Sequence, residues 1–470
     1  MPCWFKKPTE TVAYAAAALA VQLAFAATGV FFNDSWACLS GDSWVLHRMA
    51  VHGLENGVLS YLEPRPTLTQ LPAYPWLIAL SYRVCGQDPR FLLGLQMLLG
   101  SLIVGVFTAA LRARLQGWRH TVGLALVFDP HRLLYSSCLL SEFWVWLAWM
   151  AGFLMFLRYE KTGRSSWLAA AFASFGLAAL TKPLAGFFGP FLAAGLLVLK
   201  PRWCLARWKA FILALALYGG LLAPLLWRNA RLTGEFPRYT TVSSFNSVYF
   251  NLAYYEAQKN GESLASARTR MVNLLRAELE RQRGVAIPEI SQEIACDRWK
   301  HLQALGVGEY EYAALSDTVF ARYLKEDGPG YLRAHFRGAL DIFTVSNLSW
   351  FQYWFHAYEA RSFSGLGWRG GWRVLRALDL DALFLIIRLL EVATAALLLP
   401  LSLLGALLDK RNARDAAWLM AAFFIIYVAA VSGINVWGRF RYLFMPFWFV
   451  LSAHGLKASA ATLQGWRAKP

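Results

Sequence analysis

One acidic residue stands out because of where it lies. Asp42 falls in the stretch Ser-Gly-Asp-Ser-Trp at 40–44, just after the first long apolar run, and it opens a pattern of apolar residues with helical spacing. An acid at a helix start can cap the free N–H groups of the first turn. An acid held at a membrane surface can instead act as a general base toward a polar acceptor. Position alone leaves both interpretations open.

Metal-ligand patterns are absent from the sequence. The six cysteines are scattered, with no CxxC pair and no histidine at zinc-ligand spacing. Such an arrangement does not favour a zinc site, and no cofactor is indicated.

The chain that positions Asp42 is too apolar for water. Its 470 residues are 57% hydrophobic and 16% charged, and the apolar runs do not alternate as barrel strands do, so helices are predicted. Ten runs have spanning or near-spanning length: 11–32, 91–111, 121–135, 139–157, 167–180, 184–199, 210–227, 383–408, 416–436 and 442–456. We therefore predict an all-α polytopic membrane protein with about ten transmembrane helices.

The positive charge predicts an orientation rather than nucleic-acid binding. The formal charge of +17 comes from short basic clusters between apolar runs. If 71–85 stays out of the membrane, eighteen Lys and Arg residues fall on the cytoplasmic side, and the short outer connections keep four: Arg132, Lys182, Arg439 and Arg441. The positive-inside rule then places both termini in the cytoplasm. The segment 71–85 is amphipathic and is predicted to be an interfacial helix.

This topology divides the chain into three parts. Residues 1–228 form an N-terminal transmembrane module, whose first outer loop, 33–90, carries Asp42. Residues 229–381 form an extracytoplasmic subdomain, in which 256–283 is predicted to be one helix or two, 310–325 is a further predicted helix, and Gly328-Pro329-Gly330 is a predicted break. Residues 382–470 form the C-terminal transmembrane helices. The break and the charge-rich stretches are typical of a folded loop domain.

Several short motifs follow one another in a recognisable order along nearly the whole chain. They are Asp42, the segment RPTLTQLPAYP at 65–75, Ser141-Glu142, GLAALTKP at 176–183, WRN at 227–229, and RFR at 439–441 with Pro446. In this order they resemble GT-C glycosyltransferases of the protein O-mannosyltransferase and lipid A aminoarabinose-transferase superfamily. The resemblance implies a GT-C-like helical bundle and an inverting transfer of a sugar from a polyprenyl-phosphate carrier, such as undecaprenyl phosphate, to an acceptor outside the membrane.

The resemblance also implies roles for individual residues. Asp42 is the expected base, and outer cations are expected to bind the donor phosphate, ranked Arg228, then Lys182, then Arg439 with Arg441. Each cation has an alternative role as an anchor at the lipid headgroups.

Three further residues have two interpretations each. Tyr74 either stacks on the sugar or carrier, or is an interfacial aromatic residue. Glu142 either contacts the sugar hydroxyls, or is a structural partner of His131 or Arg132. His131 is accordingly either a contact of the sugar or carrier, or a partner of Glu142.

The sequence departs from the family pattern in two places. Ser43 stands where many relatives have a second acid, so a divalent metal is not supported. Gln70 and Leu71 precede the Pro-x-Tyr motif where relatives often have a basic residue, so a phosphate contact from that segment is not expected.

The predicted partners are a polyprenyl-phosphate sugar, membrane lipids, and a glycan, lipid or protein acceptor, without nucleic acid. The predicted location is the inner (cytoplasmic) membrane, with the active site outside. Two alternatives remain. One is a lipid-linked oligosaccharide flippase, which would need ionisable residues deep in its spans; Arg388 and Glu391 are candidates, although a mutual pair explains them more simply. The other is an O-antigen ligase or polymerase, which does not call for Asp42 together with the Pro-aromatic-Pro segment.

Overall fold

The computed structural model describes residues 8–27, 42–60, 66–236, 238–344, 380–409, 415–434 and 437–467. These residues form helices and connecting segments, and they contain no strand. The α-helices are α1 (Pro8–Ala27), α2 (Asp42–Asn56), α3 (Ala73–Cys85), α4 (Arg90–Ala110), α5 (Arg112–Leu115), α6 (Arg119–Phe128), α7 (Pro130–Ser136), α8 (Ser141–Thr162), α9 (Ser165–Thr181), α10 (Phe188–Leu199), α11 (Pro201–Leu205), α12 (Trp208–Thr233), α13 (Val242–Asn246), α14 (Ala253–Asn260), α15 (Leu264–Arg283), α16 (Gln292–Cys296), α17 (Arg298–Leu305), α18 (Glu309–Asp341), α19 (Leu380–Leu408), α20 (Ala416–Ser432) and α21 (Gly438–Arg467). The predicted all-α class is confirmed.

Several of these helices can cross a membrane. Within the described ranges, α1, α4, α12 and residues 389–408 of α19 are long and apolar enough to span, and α7 with α8 forms a fifth candidate that bends by 119°. Three further apolar helical stretches, at 165–181, 183–199 and 416–432, have 10–17 residues. The chain is therefore a polytopic membrane protein, and the number of ten spans stays a prediction.

The run 121–135, predicted as one span, is two helices. Helix α6 ends at Phe128, and α7 begins at Pro130 after Asp129, whose backbone is extended (φ −62°, ψ 111°). A proline has no N–H to donate and suits the first position of a helix, and the Asp129 side chain accepts from the His131 backbone N–H as a cap. The cap and the proline together explain the break.

Helix α3 contains the segment predicted to lie outside the membrane. Its 13 residues extend for about 20 Å, whereas a membrane core is about 30 Å thick. Tyr74, Ile78 and Tyr82 are buried against the rest of the protein, while Trp76 and Leu80 on other faces are about half exposed. A short helix with these properties fits an interfacial position better than a span.

The region predicted as the extracytoplasmic subdomain, 229–381, which we call the loop region, has a hydrophobic core of its own. Residues from α13 to α18, including Leu252, Met271, Leu275 and Tyr312, form a buried cluster separate from the large cluster of the helix bundle. The stretch 256–283, predicted as one helix or two, belongs to two helices: Gly261, whose φ of +64° suits glycine, ends α14 before α15 begins. The predicted break near 328–330 is a kink at Asp327 inside α18.

Candidate active site

Four of the candidate site residues form one continuous charged cluster, the Asp42 cluster. Arg439 Nη1 lies 2.6 Å from Asp42 Oδ2, and Arg439 Nε lies 3.2 Å from Glu142 Oε1. Lys182 Nζ donates to the same Glu142 oxygen at 2.9 Å. Two carboxylates therefore alternate with two cations. The Glu142 side chain is fully buried, while that of Asp42 is 35% exposed, so the cluster opens toward Asp42.

Helix ends bring these side chains together. Asp42 begins α2, Glu142 is the second residue of α8, and Arg439 is the second residue of α21. Lys182 follows the last residue of α9 and has an extended backbone. The helix dipole favours the carboxylates at helix N-termini and the cation at a helix C-terminus, and it opposes Arg439 in the first turn of α21. Arg439 is stabilised instead by its ion pairs with Asp42 and Glu142.

Arg441 and His131 lie in a different cluster. Arg441 Nη2 donates to Glu391 Oε1 at 2.9 Å and lies 2.9 Å from His131 Nε2, and His131 Nδ1 lies 2.9 Å from Asp129 Oδ1. All four side chains are buried. Residues two apart on a helix point about 200° away from each other, so Arg439 and Arg441 reach different partners.

The structure gives Glu142 other partners than the expected ones. Glu142, for which His131 or Arg132 was the expected structural partner, bonds to Lys182 and approaches Arg439. Glu391 pairs with Arg441; the Arg388 side chain lies outside the described residues, so the pair of Arg388 with Glu391 stays a prediction. Lys182 follows the next helix, α9, and Arg439 comes from the C-terminal helix α21.

Tyr74 is anchored inside the protein. Its hydroxyl donates to Gln96 Oε1 at 2.8 Å, and the same oxygen accepts from Trp144 Nε1 at 3.0 Å. Burial raises the pKa of Tyr74 well above its usual value, so the hydroxyl stays protonated and donates. Tyr74 therefore fixes α3 on α4 and lies close to the start of α8. Sequence reasoning missed Gln96, which no motif distinguishes.

Arg228 joins a third group of residues. It donates to Asn229 Oδ1 at 3.1 Å and points Nη2 at the Thr67 carbonyl, 3.5 Å away. Beside it, Glu309 accepts from Thr67 and from the Leu68 backbone N–H. In the described part of the chain, no contact joins Arg228 to the Asp42 cluster. Glu309 was also missed, because nothing in its sequence neighbourhood marks it.

No metal centre accompanies these clusters within the described ranges. Groups of three or more His, Cys, Asp or Glu side chains that could hold an ion are not found there. The carboxylates of the Asp42 cluster are instead neutralised by Arg439 and Lys182. A role of these two cations in binding the donor phosphate stays a prediction.

Part of the Asp42 cluster lies within a match to a known family. Residues 65–227, which are less than half of the chain, match the family model of dolichyl-phosphate-mannose-protein mannosyltransferases. The resemblance predicted from the motifs is thereby confirmed for this region. The matched region includes Glu142, Lys182 and the Pro-aromatic-Pro segment, whereas Asp42 and Arg439 lie outside it.

Solved structures with some likeness are two crystal structures of ArnT from Cupriavidus metallidurans. The apo structure aligns with 15% identity and a TM-score of 0.40, and the structure bound to undecaprenyl phosphate aligns with 14% identity and a TM-score of 0.42. Each alignment covers 96% of this chain and 78% of that chain. No curated protein matches the chain significantly.

Proposed function

We propose that this protein is an inverting glycosyltransferase that moves a sugar from a polyprenyl-phosphate carrier to an acceptor at the outer face of the membrane. The observation that carries the proposal is the Asp42 cluster, in which a partly exposed carboxylate lies beside two cations. The family match, which names a dolichyl-phosphate sugar donor, supports the same chemistry. The proposed site is extracytoplasmic, in the inner membrane.

In the proposed reaction Asp42 is the general base. An acceptor hydroxyl attacks the anomeric carbon, and its oxygen forms the new glycosidic bond while its proton passes to Asp42. The bond between the anomeric carbon and the phosphate oxygen breaks, and the electron pair leaves with the polyprenyl phosphate. Direct displacement of this kind inverts the anomeric centre.

The leaving phosphate needs positive charge, and the two cations of the Asp42 cluster can supply it. Lys182 and Arg439 both contact one oxygen of Glu142, and Arg439 also pairs with Asp42. An ammonium carries three N–H groups and a guanidinium five, so one cation can bind more than one anion. Preorganised cations stabilise developing charge without rearranging during the reaction. Arg228, which lies in a separate group of residues, is a further candidate for binding the donor phosphate. Arg441 acts indirectly by fixing the start of α21.

The test compares two conservative substitutions in the same outer loop. Asp42→Asn removes the proposed base, while Asp88→Asn changes an exposed aspartate whose Oδ1 accepts from the Arg90 backbone N–H at 2.8 Å, a bond that an amide oxygen can also accept. Transfer is measured from a panel of radiolabelled undecaprenyl-phosphate hexoses and pentoses into membranes. We expect Asp42→Asn to lower kcat by at least about 100-fold, as for loss of a general base, and Asp88→Asn to keep wild-type rates.

Two results would contradict the proposal in different ways. Wild-type transfer by a well-expressed Asp42→Asn protein would remove Asp42 as the base. Absence of transfer from every donor by the wild-type protein would remove the transferase and favour a flippase.

A further inference from the structure

Segment 66–69 of the first outer loop is held by one carboxylate of the loop region. Glu309 Oε2 accepts from the Thr67 hydroxyl at 2.6 Å, and Oε1 accepts from the Leu68 backbone N–H at 2.8 Å. Oε1 also accepts from the Thr241 hydroxyl. Glu309 is the first residue of α18, where the helix dipole favours a negative charge. We call these contacts the Glu309 clamp.

Further hydrogen bonds join segment 66–69 to the loop region. The Leu68 carbonyl accepts from the Thr240 hydroxyl at 2.8 Å and from the Thr241 backbone N–H at 3.2 Å, and the Tyr310 hydroxyl donates to the Pro66 carbonyl. Leu68 and Thr241 are each 2% exposed. Buried polar groups are stable only when each keeps a hydrogen-bond partner.

The Glu309 clamp is connected to Asp42, the proposed base, through the residues before and after segment 66–69. On one side, the Thr67 backbone N–H donates to the Leu59 carbonyl at 3.0 Å, and Leu59 follows α2. On the other side, α3 begins four residues after Thr69 and packs on α2, where His47 Nδ1 lies 2.7 Å from the Tyr82 hydroxyl. Asp42 is the first residue of α2. The position of α2 is therefore coupled to the loop region through segment 66–69.

We infer that Glu309 is a positioning residue, which holds segment 66–69 so that α2 and α3 present Asp42 to the donor and acceptor. The inference rests on the proposed function for the reaction, and on the hydrogen bonds alone for the clamp. A carboxylate suits the position because it accepts several hydrogen bonds and donates none. A glutamine can keep most of the clamp, since its amide oxygen can replace Oε1 and its NH₂ can donate to the Thr67 hydroxyl.

The experiment uses three variants of the full chain in lipid nanodiscs. Glu309→Ala removes the clamp and Glu309→Gln preserves most of it. Glu311→Ala is the matched control, because Glu311 lies in the same helical turn, is about half exposed and pairs with Arg283 at the surface. Hydrogen–deuterium exchange is followed in peptides that cover 66–71, and kcat and KM are measured with the undecaprenyl-phosphate sugar panel.

We expect Glu309→Ala to speed exchange at the Leu68 amide by about tenfold or more, the equivalent of one lost hydrogen bond. We also expect kcat to fall by about tenfold or more and donor KM to change less, because the base is displaced while Lys182 and Arg439 keep their contacts with Glu142, and only Arg228 borders the clamp. Glu309→Gln should recover most of both effects, and Glu311→Ala should show neither.

Three outcomes would overturn the inference. Unchanged exchange at 66–71 in Glu309→Ala would show that the clamp does not hold the segment. Unchanged kcat with faster exchange would show that the clamp does not position the base. A Glu309→Gln protein as impaired as Glu309→Ala would mean that the charge itself acts. If the wild-type protein transfers no sugar, the proposed function fails and the positioning role with it, while the exchange result still decides whether the clamp exists.

Discussion

At the scale of single residues, Glu142 is the central residue of the Asp42 cluster. It is fully buried, and one of its oxygens contacts both Lys182 and Arg439. Neutralising it leaves two cations without their shared counter-ion. Loss of one partner of a buried ion pair costs on the order of 3 kcal/mol.

A comparison along α8 separates stability from function. Glu142→Gln and Glu160→Gln are the same change near opposite ends of this helix, and Glu160 pairs with Arg114 at 2.7 Å. We expect both substitutions to lower the thermal unfolding midpoint, and only Glu142→Gln to lower transfer by about 100-fold or more, since it alone disturbs the cations proposed to stabilise the leaving phosphate. Equal loss of transfer in both variants would mean that Glu142 acts through stability alone.

The sequence indicated the residue types of the Asp42 cluster but not their pairing. Asp42, Glu142, Lys182 and Arg439 each occur in a motif at the end of an apolar run, so their shared location could be predicted. The contact between Glu142 and Lys182 depends on how α8 packs beside α9. Successive residues of a helix are rotated by about 100° around its axis. The different partners of Arg439 and Arg441 therefore depend on where α21 begins.

At the scale of elements, α15 is fixed to α18 through a buried carboxylate. Glu278 accepts from Arg281 on its own helix, at 2.5 Å, and from Arg322 of α18, at 2.6 Å. The hydrogen bonds from Arg281, with those from Arg322, lower the pKa of Glu278 to about 2. A carboxyl group with a folded-state pKa below its unfolded value stabilises the fold above the unfolded pKa, and this stabilisation is lost as the pH falls toward the folded pKa.

This linkage predicts an acid-sensitive loop region. Between a pH of about 4.5 and 2, the protection factors of the α15 amides, which compare each exchange rate with the intrinsic rate at the same pH, should fall in the wild-type protein. Glu278→Gln should exchange faster at neutral pH and show a smaller change over that interval, while the exposed Glu293→Gln should follow the wild type. An identical acid response in wild type and Glu278→Gln would rule out Glu278 as the source.

Helix boundaries were predictable where a local signal exists. Gly261 and the Gly-Pro-Gly stretch near 328 both mark real interruptions, because backbone freedom and the missing proline N–H act within a few residues. The break at Asp129 was missed because the surrounding residues are apolar enough to be read as one span. The Glu309 clamp joins segments more than 240 residues apart in sequence, and no local pattern can reveal it.

At the scale of the whole molecule, the prediction that remains is the orientation in the membrane. It depends on α3, because counting 71–85 as a span would place Asp42 and Cys85 on opposite sides. The structure describes α3 as a short helix whose end carries an exposed, free Cys85. This native thiol is therefore a direct probe of topology.

Labelling with a membrane-impermeant maleimide tests this orientation. In a background where the other five cysteines are replaced by serine, Cys85 should react in intact spheroplasts. In a variant without native cysteines, Glu293→Cys in the loop region should also react from outside, whereas Lys161→Cys, in the last turn of α8, should react only once the membrane is permeabilised. Protection of both Cys85 and Glu293→Cys, with labelling of Lys161→Cys in intact spheroplasts, would contradict this orientation. With the N-terminus inside, that result would mean that α3 crosses the membrane and separates Asp42 from the loop region. The positive-inside bias of eighteen basic residues against four favours the first outcome, since reversing it would place most of the cationic loops outside.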